Sequence, residues 1–264
     1  MQEVSKKNKE LAEKIINENN FKKIKSKYDK SKNRLIILDY DGTLSQFYKR
    51  PEDAYPRPEL LDLLKKLSDD PANHIVISSG RDRHTLDKWL GNLPIGLAAE
   101  HGAFYKEDGI WHNKVPDFEW DPEIIEILRN TARRTPRSKV EIKDTALVWH
   151  YRNVDAWLAD LRVNQLINAL ITPCMRQNLQ IMKGNKIVEV KYSDINKGAE
   201  AMRLLEKDDY DFVMAIGDDT TDEDMFKVLP EGAISIKVGK NSAVANCNIP
   251  TQQQTLLFLE NLMS

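Results

Sequence analysis

The sequence predicts an α/β protein in which a parallel-sheet core is interrupted by an inserted α+β domain. Short apolar runs near residues 35–38, 74–79 and 212–216 have the length and Val/Ile/Leu content of strands buried on both faces. Stretches with apolar residues at helical spacing separate them, the alternation expected of a sheet built through crossover helices. Between residues 111 and 191 the pattern changes to helix, hairpin, helix, hairpin, and this segment reads as an insertion. The expected boundaries are 1–32 for a leader, 33–110 and 192–264 for the core, and 111–191 for the inserted domain.

The leader holds ten Lys and five acidic residues around a thin stripe of Leu11, Ile15, Ile16 and Phe21. It is expected to form a solvated helix or a frayed segment; a nucleic-acid-binding arm is the other reading of so many Lys. The core opens at Arg34 with the strand 35–38. A helix entered through Pro58 follows, carrying Leu60, Leu61, Leu63, Leu64 and Leu67. Residues 74–79 form the next strand, 85–90 a helix and 97–100 a third strand. In the insertion, 121–133 and 155–171 read as helices, and 140–143 with 146–151 as a pair of alternating strands. Strands 179–182 and 187–190 make a second pair around Lys183, Gly184 and Asn185, where Gly-Asn signals a hairpin turn. The core resumes with a helix near 197–205, a strand at 212–216, a short strand at 234–238 and a closing helix at 255–263.

At 264 residues, 41% hydrophobic and 30% charged, the chain has the composition of a soluble globular protein with one large or two modest domains. A net charge of −2 speaks against a nucleic-acid-binding protein, whose footprint is a strongly basic domain or stripe. No run of 18 apolar residues and no signal-peptide pattern is present, so neither a membrane span nor secretion is expected. Cys174 and Cys247 are too few for a disulfide framework or a zinc site, which makes a reducing cytoplasm the expected setting.

Chemistry is concentrated after the first apolar run, in Asp39, Tyr40, Asp41, Gly42, Thr43 and Leu44. Side chains two apart in extended chain share a face, so Asp39 and Asp41 can address one metal ion or phosphate. Ligands of open α/β sheets bind at the carboxyl ends of strands, where this pair lies. Gly42 then supplies a sharp exit. The plainer reading, a polar turn closing a hairpin, accounts for Asp-Gly alone. A second acidic cluster, Gly217 to Glu223 with Asp218 and Asp219 at its head, follows another buried-looking strand. By itself it could be a capped helix start; with Asp39 and Asp41 it makes an oxygen-rich pocket suited to Mg²⁺. The spacing does not fit an EF-hand. Ser79, ahead of Gly80 and Arg81, can donate a hydrogen bond to a phosphate oxygen, and Lys197 supplies a compact positive charge.

Acidic pair, Ser, Lys and acidic cluster stand in the order of the four motifs of the haloacid-dehalogenase superfamily, and the chain resembles its phosphohydrolases. The resemblance implies a Rossmann-like parallel-sheet core with an inserted cap. It also implies that Asp39 is the nucleophile, Asp41 the general acid/base, and Ser79 and Lys197 the groups that stabilise the transferring phosphoryl. Mg²⁺ would be held by Asp39, Asp218 and the main-chain carbonyl of Asp41.

The match sharpens in Arg50 to Ala54, Ser79 to Arg83, Ala98 to Gly102, Trp149 to Arg152 and Gly217 to Glu223, which together resemble the trehalose-6-phosphate phosphatase family. That family implies a sugar-phosphate substrate and trehalose biosynthesis. The likeness is to phosphatase domains fused behind a trehalose-phosphate synthase domain, so association with such a domain is the implied partnership. A disaccharide is neutral and rich in hydroxyls, and recognising it takes fixed acceptors and donors. Glu141, Lys143, His150, Arg152 and Glu189 on the expected cap strands are the candidates, with Gly80, Arg81, Glu100 and His101 in the core. Alternating charged residues could instead form a plain solvent face. Competing readings are a phosphatase for another sugar phosphate such as sucrose phosphate, a two-component receiver domain, and a non-catalytic regulatory subunit of a trehalose-synthesis complex. The receiver is roughly half this length. The intact Asp39, Asp41, Lys197 and Asp218 oppose the regulatory subunit.

Overall fold

The computed structural model describes residues 14–115, 119–143 and 145–264. The chain divides into two compact units, one of Met1–Lys114 with Asn196–Ser264 and one of Val115–Ile195. The first unit opens with α1 (Glu18–Lys30), β1 (Arg34–Leu38), α2 (Pro58–Asp69), β2 (Asn73–Ser78), α3 (Arg83–Leu90), β3 (Gly96–Ala99), β4 (Phe104–Glu107) and β5 (Ile110–Asn113). The second holds α4 (Pro122–Arg133), β6 (Lys139–Ile142), β7 (Ala146–His150), α5 (Ala156–Arg176), β8 (Leu179–Gly184) and β9 (Ile187–Tyr192). The first unit resumes with α6 (Lys197–Leu205), β10 (Phe212–Gly217), α7 (Thr220–Val228), β11 (Ile234–Val238), β12 (Cys247–Ile249) and α8 (Gln252–Met263).

The large sheet runs β12-β11-β10-β1-β2-β3-β4-β5. Strands β12 through β3 are parallel, and β4 and β5 extend the sheet antiparallel. Every residue of β1 is buried, because Leu35 and Ile37 join the cluster formed with α6 and α7 while Ile36 and Leu38 point to the other covered face. β1 lies between β10, which comes late in the chain, and β2, which follows it directly. Strand order reverses there, and such a switch point opens a crevice at the carboxyl ends. Asp39, Ser79 and Asp218 follow these three strands directly.

The expected strands and helices of the core are present, with three additions. β4 and β5 form a hairpin through Asp108 and Gly109, a turn pair whose positive φ values suit that sequence. This hairpin ties Trp111–Asn113 to the core sheet, so the inserted unit spans 115–195 where the sequence suggested 111–191. β12 is another addition, and α7 is the third, at the place where the acidic cluster allowed a capped helix start.

The leader is helical in its described part, as one of the two expectations had it, but it does not stand apart from the core. Its described part packs on the core: Ile24 and Tyr28 of α1 are buried, Phe21 meets Phe258 edge-on at 5.7 Å, and Tyr28 meets Phe212 at 5.5 Å. Arg34 lies 4.1 Å over the Tyr28 ring, and Ile16 donates its N–H to the Asn248 carbonyl at 3.0 Å. One narrow apolar stripe suffices for this, since Lys stems lie along apolar surface while their charges stay in water. Leu11, the first residue of the expected stripe, lies outside the described residues.

In the second unit the four strands run β6-β7-β9-β8, all antiparallel. Leu147, Trp149, Val188 and Val190 face α4 and α5 and join Ile124, Leu128, Val163, Leu166 and Leu170 in one core. The alternate residues occupy the other face of the sheet. Among the described residues no helix is long and apolar enough to cross a membrane.

Candidate active site

Asp39 leaves β1 with its N–H bonded to the Ile216 carbonyl of β10 at 2.9 Å, which fixes the acid at the sheet's switch point. The chain then turns: Leu44 and Ser45 donate to the Tyr40 carbonyl, and Gly42 takes φ +85°. A Cβ on Gly42 would lie 2.4 Å from Asp218 Oδ2, so only glycine lets the Asp218 carboxylate close over this turn.

Lys197 joins the clusters. The Asn196 side chain caps α6 by accepting from the Ala199 N–H at 2.9 Å, and Gly198 lets α6 approach α7, since a Cβ there would meet the Asp224 carbonyl at 2.7 Å. The fully buried Lys197 ammonium therefore donates to Asp39 Oδ1 at 2.5 Å and to Asp222 Oδ1 at 2.6 Å. The other oxygen of Asp222 accepts from the N–H groups of Asp218 (2.8 Å) and Asp219 (3.0 Å). Asp219 and Asp222 form a capping box on α7, so the cluster is a capped helix start, the plainer of its two readings. Lys237, buried at the end of β11, donates to the Asp219 main-chain carbonyl and faces Glu223 at 3.5 Å.

The electrostatics of this pocket are unbalanced. Burial, with repulsion from Asp222 and Asp219, pushes the Asp218 carboxyl up to about 7. Burial also raises Asp39 and Asp222 despite the opposing Lys197 charge. Lys197 itself would be lowered by burial, but Asp222 and Asp39 hold it above its ordinary value. Asp219 goes the other way, to about 2, because Lys197 and the Thr221 hydroxyl outweigh its burial.

The residues fit a divalent cation. Oxygens of Asp39, Asp218 and Asp222 lie within 4.8 Å of one another, and Asp39 Oδ2 is buried with no hydrogen-bond partner among the described residues. A hard cation with oxygen ligands would satisfy that orphaned atom and offset the crowded negative charge. Both oxygens of Asp222 already accept hydrogen bonds, so of the three carboxylates Asp39 and Asp218 would be the ones to hold such an ion, with Asp222 supporting them.

Ser79 is buried after β2, and its Oγ accepts from the Arg81 N–H at 3.1 Å, which leaves its own proton to donate. Arg81 grips Asp41 through two bonds, so the Asp41 carboxylate is engaged apart from the metal set. The 3-10 turn Glu100–Gly102 is knitted to this loop: Glu100 N–H donates to the Arg81 carbonyl and His101 N–H to the Ser79 carbonyl, both at 2.9 Å. The His101 ring lies against Gly80. Glu100 (φ 49°) and His101 (φ 61°) both occupy the left-handed region, at about 1–2 kcal/mol each, and strain of this kind concentrates at functional sites.

In the second unit, Glu141 and Glu189 both stand opposite Val148 in register, so the two carboxylates share one face of the sheet with His150. His150 Nε2 and Glu141 Oε2 share a hydrogen bond of 2.6 Å. Lys143 lies beyond β6, its N–H bonded to the Ala146 carbonyl at 2.8 Å. Arg152 is drawn aside, to the Asn185 carbonyl in the β8–β9 turn at 3.4 Å.

From sequence, Asp219 and Asp222 belong to the acidic cluster without a role of their own, and Lys237 is not among the candidates. The first two carried a signal, an acid pair at N-cap and N3 spacing. Lys237 carried a fainter one, a lone cation in the buried run Ile234, Ser235, Ile236, Val238.

The chain matches the sequence model of the trehalose-phosphatase family over residues 37–256. It is 41% identical over 256 residues to the bifunctional trehalose-6-phosphate synthase/phosphatase of Thermoproteus tenax, covering 96% of this chain and 35% of that protein. With the trehalose-phosphatase of Zygosaccharomyces rouxii it shares 39% identity over 227 residues, 76% of this chain and 25% of the relative. The solved C-terminal domain of C. albicans trehalose-6-phosphate phosphatase superposes with a TM-score of 0.85 at 33% identity, covering 92% of this chain and 96% of that one. The chain thus spans only about a quarter to a third of the length of these curated relatives.

Proposed function

Since the chain belongs to the trehalose-phosphatase family, we propose that it hydrolyses trehalose 6-phosphate to trehalose and inorganic phosphate, with Asp39 as the nucleophile. The observation that carries this reading is the environment of Asp39. One oxygen is fixed by Lys197 at 2.5 Å, and the other is buried without a hydrogen-bond partner.

In the first half-reaction an Asp39 oxygen forms a bond to phosphorus as the bond to the sugar oxygen breaks. Asp41 delivers its proton to that leaving oxygen. In the second, Asp41 takes a proton from water, which attacks phosphorus, releases phosphate and restores the Asp39 carboxylate. Splitting the reaction in this way replaces one slow displacement by two easier ones. Lys197 and the Ser79 hydroxyl stabilise the charge spread over the equatorial oxygens. Mg²⁺, held by Asp39, Asp218 and the Asp41 main-chain carbonyl, would supply electrostatic relief between carboxylate and phosphate. In this reading the inserted unit recognises the sugar through Glu141, Lys143, His150, Arg152 and Glu189, and Gly80, Arg81, Glu100 and His101 add contacts from the core. It carries with it a reducing, cytoplasmic setting and association with a trehalose-phosphate synthase domain.

Phosphate release measured across trehalose 6-phosphate, sucrose 6-phosphate and glucose 6-phosphate tests the assignment, with the first expected to be strongly preferred. Faster release from another sugar phosphate would move the activity to that sugar. Absence of release from all three, in a folded protein supplied with Mg²⁺, would leave the regulatory-subunit reading. Asp39→Asn is expected to abolish turnover while the fold persists.

A further inference from the structure

Helix α5 of the inserted unit carries an apolar stripe that the described residues leave uncovered. Trp157, Leu161, Ile171 and Met175 are exposed by 71, 47, 43 and 76%. With Asn164 and Asn168 they recur at spacings of 4, 3, 4, 3 and 4 residues, the seam of a heptad repeat. The six side chains form one row along about 27 Å of helix. The other side of α5, with Val163, Leu166 and Leu170, is occupied by the unit's own core, so the stripe is a separate face. Pro173 lies on that buried side.

The row has two-fold symmetry. Counting outward from Leu166 pairs Trp157 with Met175, Leu161 with Ile171, and Asn164 with Asn168. Two α5 helices running antiparallel about an axis at Leu166 therefore place apolar against apolar at the outer levels and amide against amide at the inner ones. An interface between identical copies must be self-complementary in this sense. Paired Asn amides can donate and accept reciprocally, and polar positions in such a seam set its register. None of the six positions is charged, and the flanking Asp160 comes opposite Thr172 rather than another acid. The four apolar side chains expose roughly 500 Å² per copy, so a pair buries about 1,000 Å² from them alone, where specific interfaces begin.

We infer that a second copy of this chain docks on this stripe, forming an antiparallel two-fold dimer through α5. Sedimentation of the full chain tests it. The apparent mass should rise from 30.4 kDa toward about twice that between roughly 1 and 300 µM. Leu161→Lys and Ile171→Glu, made singly, should each weaken association on the order of a hundredfold, because each places two charges in the seam. The double variant L161K/I171E sets opposite charges across the axis and should dimerise again. A wild-type chain that stays monomeric at the highest concentration overturns the proposal. So does a dimer indifferent to Leu161→Lys, and so does a double variant that is not rescued. Thermal unfolding at low concentration checks that the single variants fold; Met175→Lys, at the most exposed position, replaces any that does not and should weaken the dimer likewise.

Discussion

Arg81 holds both carboxylate oxygens of Asp41, Nε to Oδ2 and Nη2 to Oδ1, each at 2.7 Å. The guanidinium is itself fixed, 4.5 Å over the Trp89 ring and bonded to the Pro51 carbonyl at 2.9 Å. A fork of this kind fixes the orientation of a carboxylate as well as its charge. It also takes one lone pair on each oxygen of the carboxylate that exchanges protons in the proposed scheme, and an incoming phosphate is the anion suited to compete for the guanidinium.

Arg81→Lys should lower kcat/KM by about tenfold to a hundredfold, because a lysine makes a point contact, with Asp41 and with the incoming phosphate alike, where the fork makes two aligned bonds. Steady-state kinetics on a sugar phosphate checks this. If the Lys variant matches wild type, the fork has no part in the reaction.

Lys197→Met should cost both stability and rate. It removes the cation that bonds the buried carboxylates of Asp39 and Asp222, and leaving such charges unpaired destabilises by about 3–5 kcal/mol. Denaturant unfolding without added metal measures that loss. Phosphate release should fall by about 10²–10³-fold. A variant as stable as wild type would mean that Lys197 is not paired in solution as it is in the structure.

Asp222→Asn addresses the support of the metal site. The amide can still accept from the Asp218 and Asp219 N–H groups, but its NH₂ cannot accept from Lys197. Calorimetric titration with Mg²⁺ should show affinity reduced by about 10–100-fold, as is usual when a ligand's partner is lost. Unchanged affinity would place Asp222 in the helix cap alone.

Gly42→Ala tests the turn. The new methyl would sit 2.4 Å from Asp218 Oδ2 on a backbone at φ +85°, so either the turn or the carboxylate must move. The conformational part costs about 1–2 kcal/mol. Mg²⁺ affinity should fall more than that stability loss accounts for, since Asp218 is the group displaced; an equal effect on both would leave Gly42 a backbone role only.

The core was legible in the sequence because its strands are buried on both faces and read as unbroken apolar runs, as in Leu35 to Leu38 and Phe212 to Ile216. The β4–β5 hairpin escaped despite its Asp-Gly turn. Its strands lie at the sheet edge, partly exposed, and mix Lys106, Glu107 and His112 with aromatics. In α1 ten surrounding lysines obscured the stripe that buries Ile24 and Tyr28. Of the site, the carboxylates that end strands could be read from local pattern. The hold of Arg81 on Asp41 and the bridging by Asp222 depend on distant segments meeting, which local pattern does not encode.

The remaining prediction separates phosphoryl chemistry from sugar recognition. Glu141 and Glu189 stand on either side of Val148 on one sheet face, in a unit that contains none of the proposed catalytic residues. If these carboxylates accept sugar hydroxyls, Glu141→Ala or Glu189→Ala should each cost on the order of 1–3 kcal/mol per lost hydrogen bond. That is roughly a tenfold to hundredfold drop in kcat/KM toward trehalose 6-phosphate. Hydrolysis of a small aryl phosphate, which presents no sugar hydroxyls, should change little. Glu141 also shares its bond with His150, so its variant should show the larger effect of the two if the pair acts together. The comparison belongs on kcat/KM, because a contact that also orients the phosphate lowers kcat along with affinity. Equal losses on both substrates would assign these residues to the fold, and unchanged kinetics on both would make this sheet face a solvent surface.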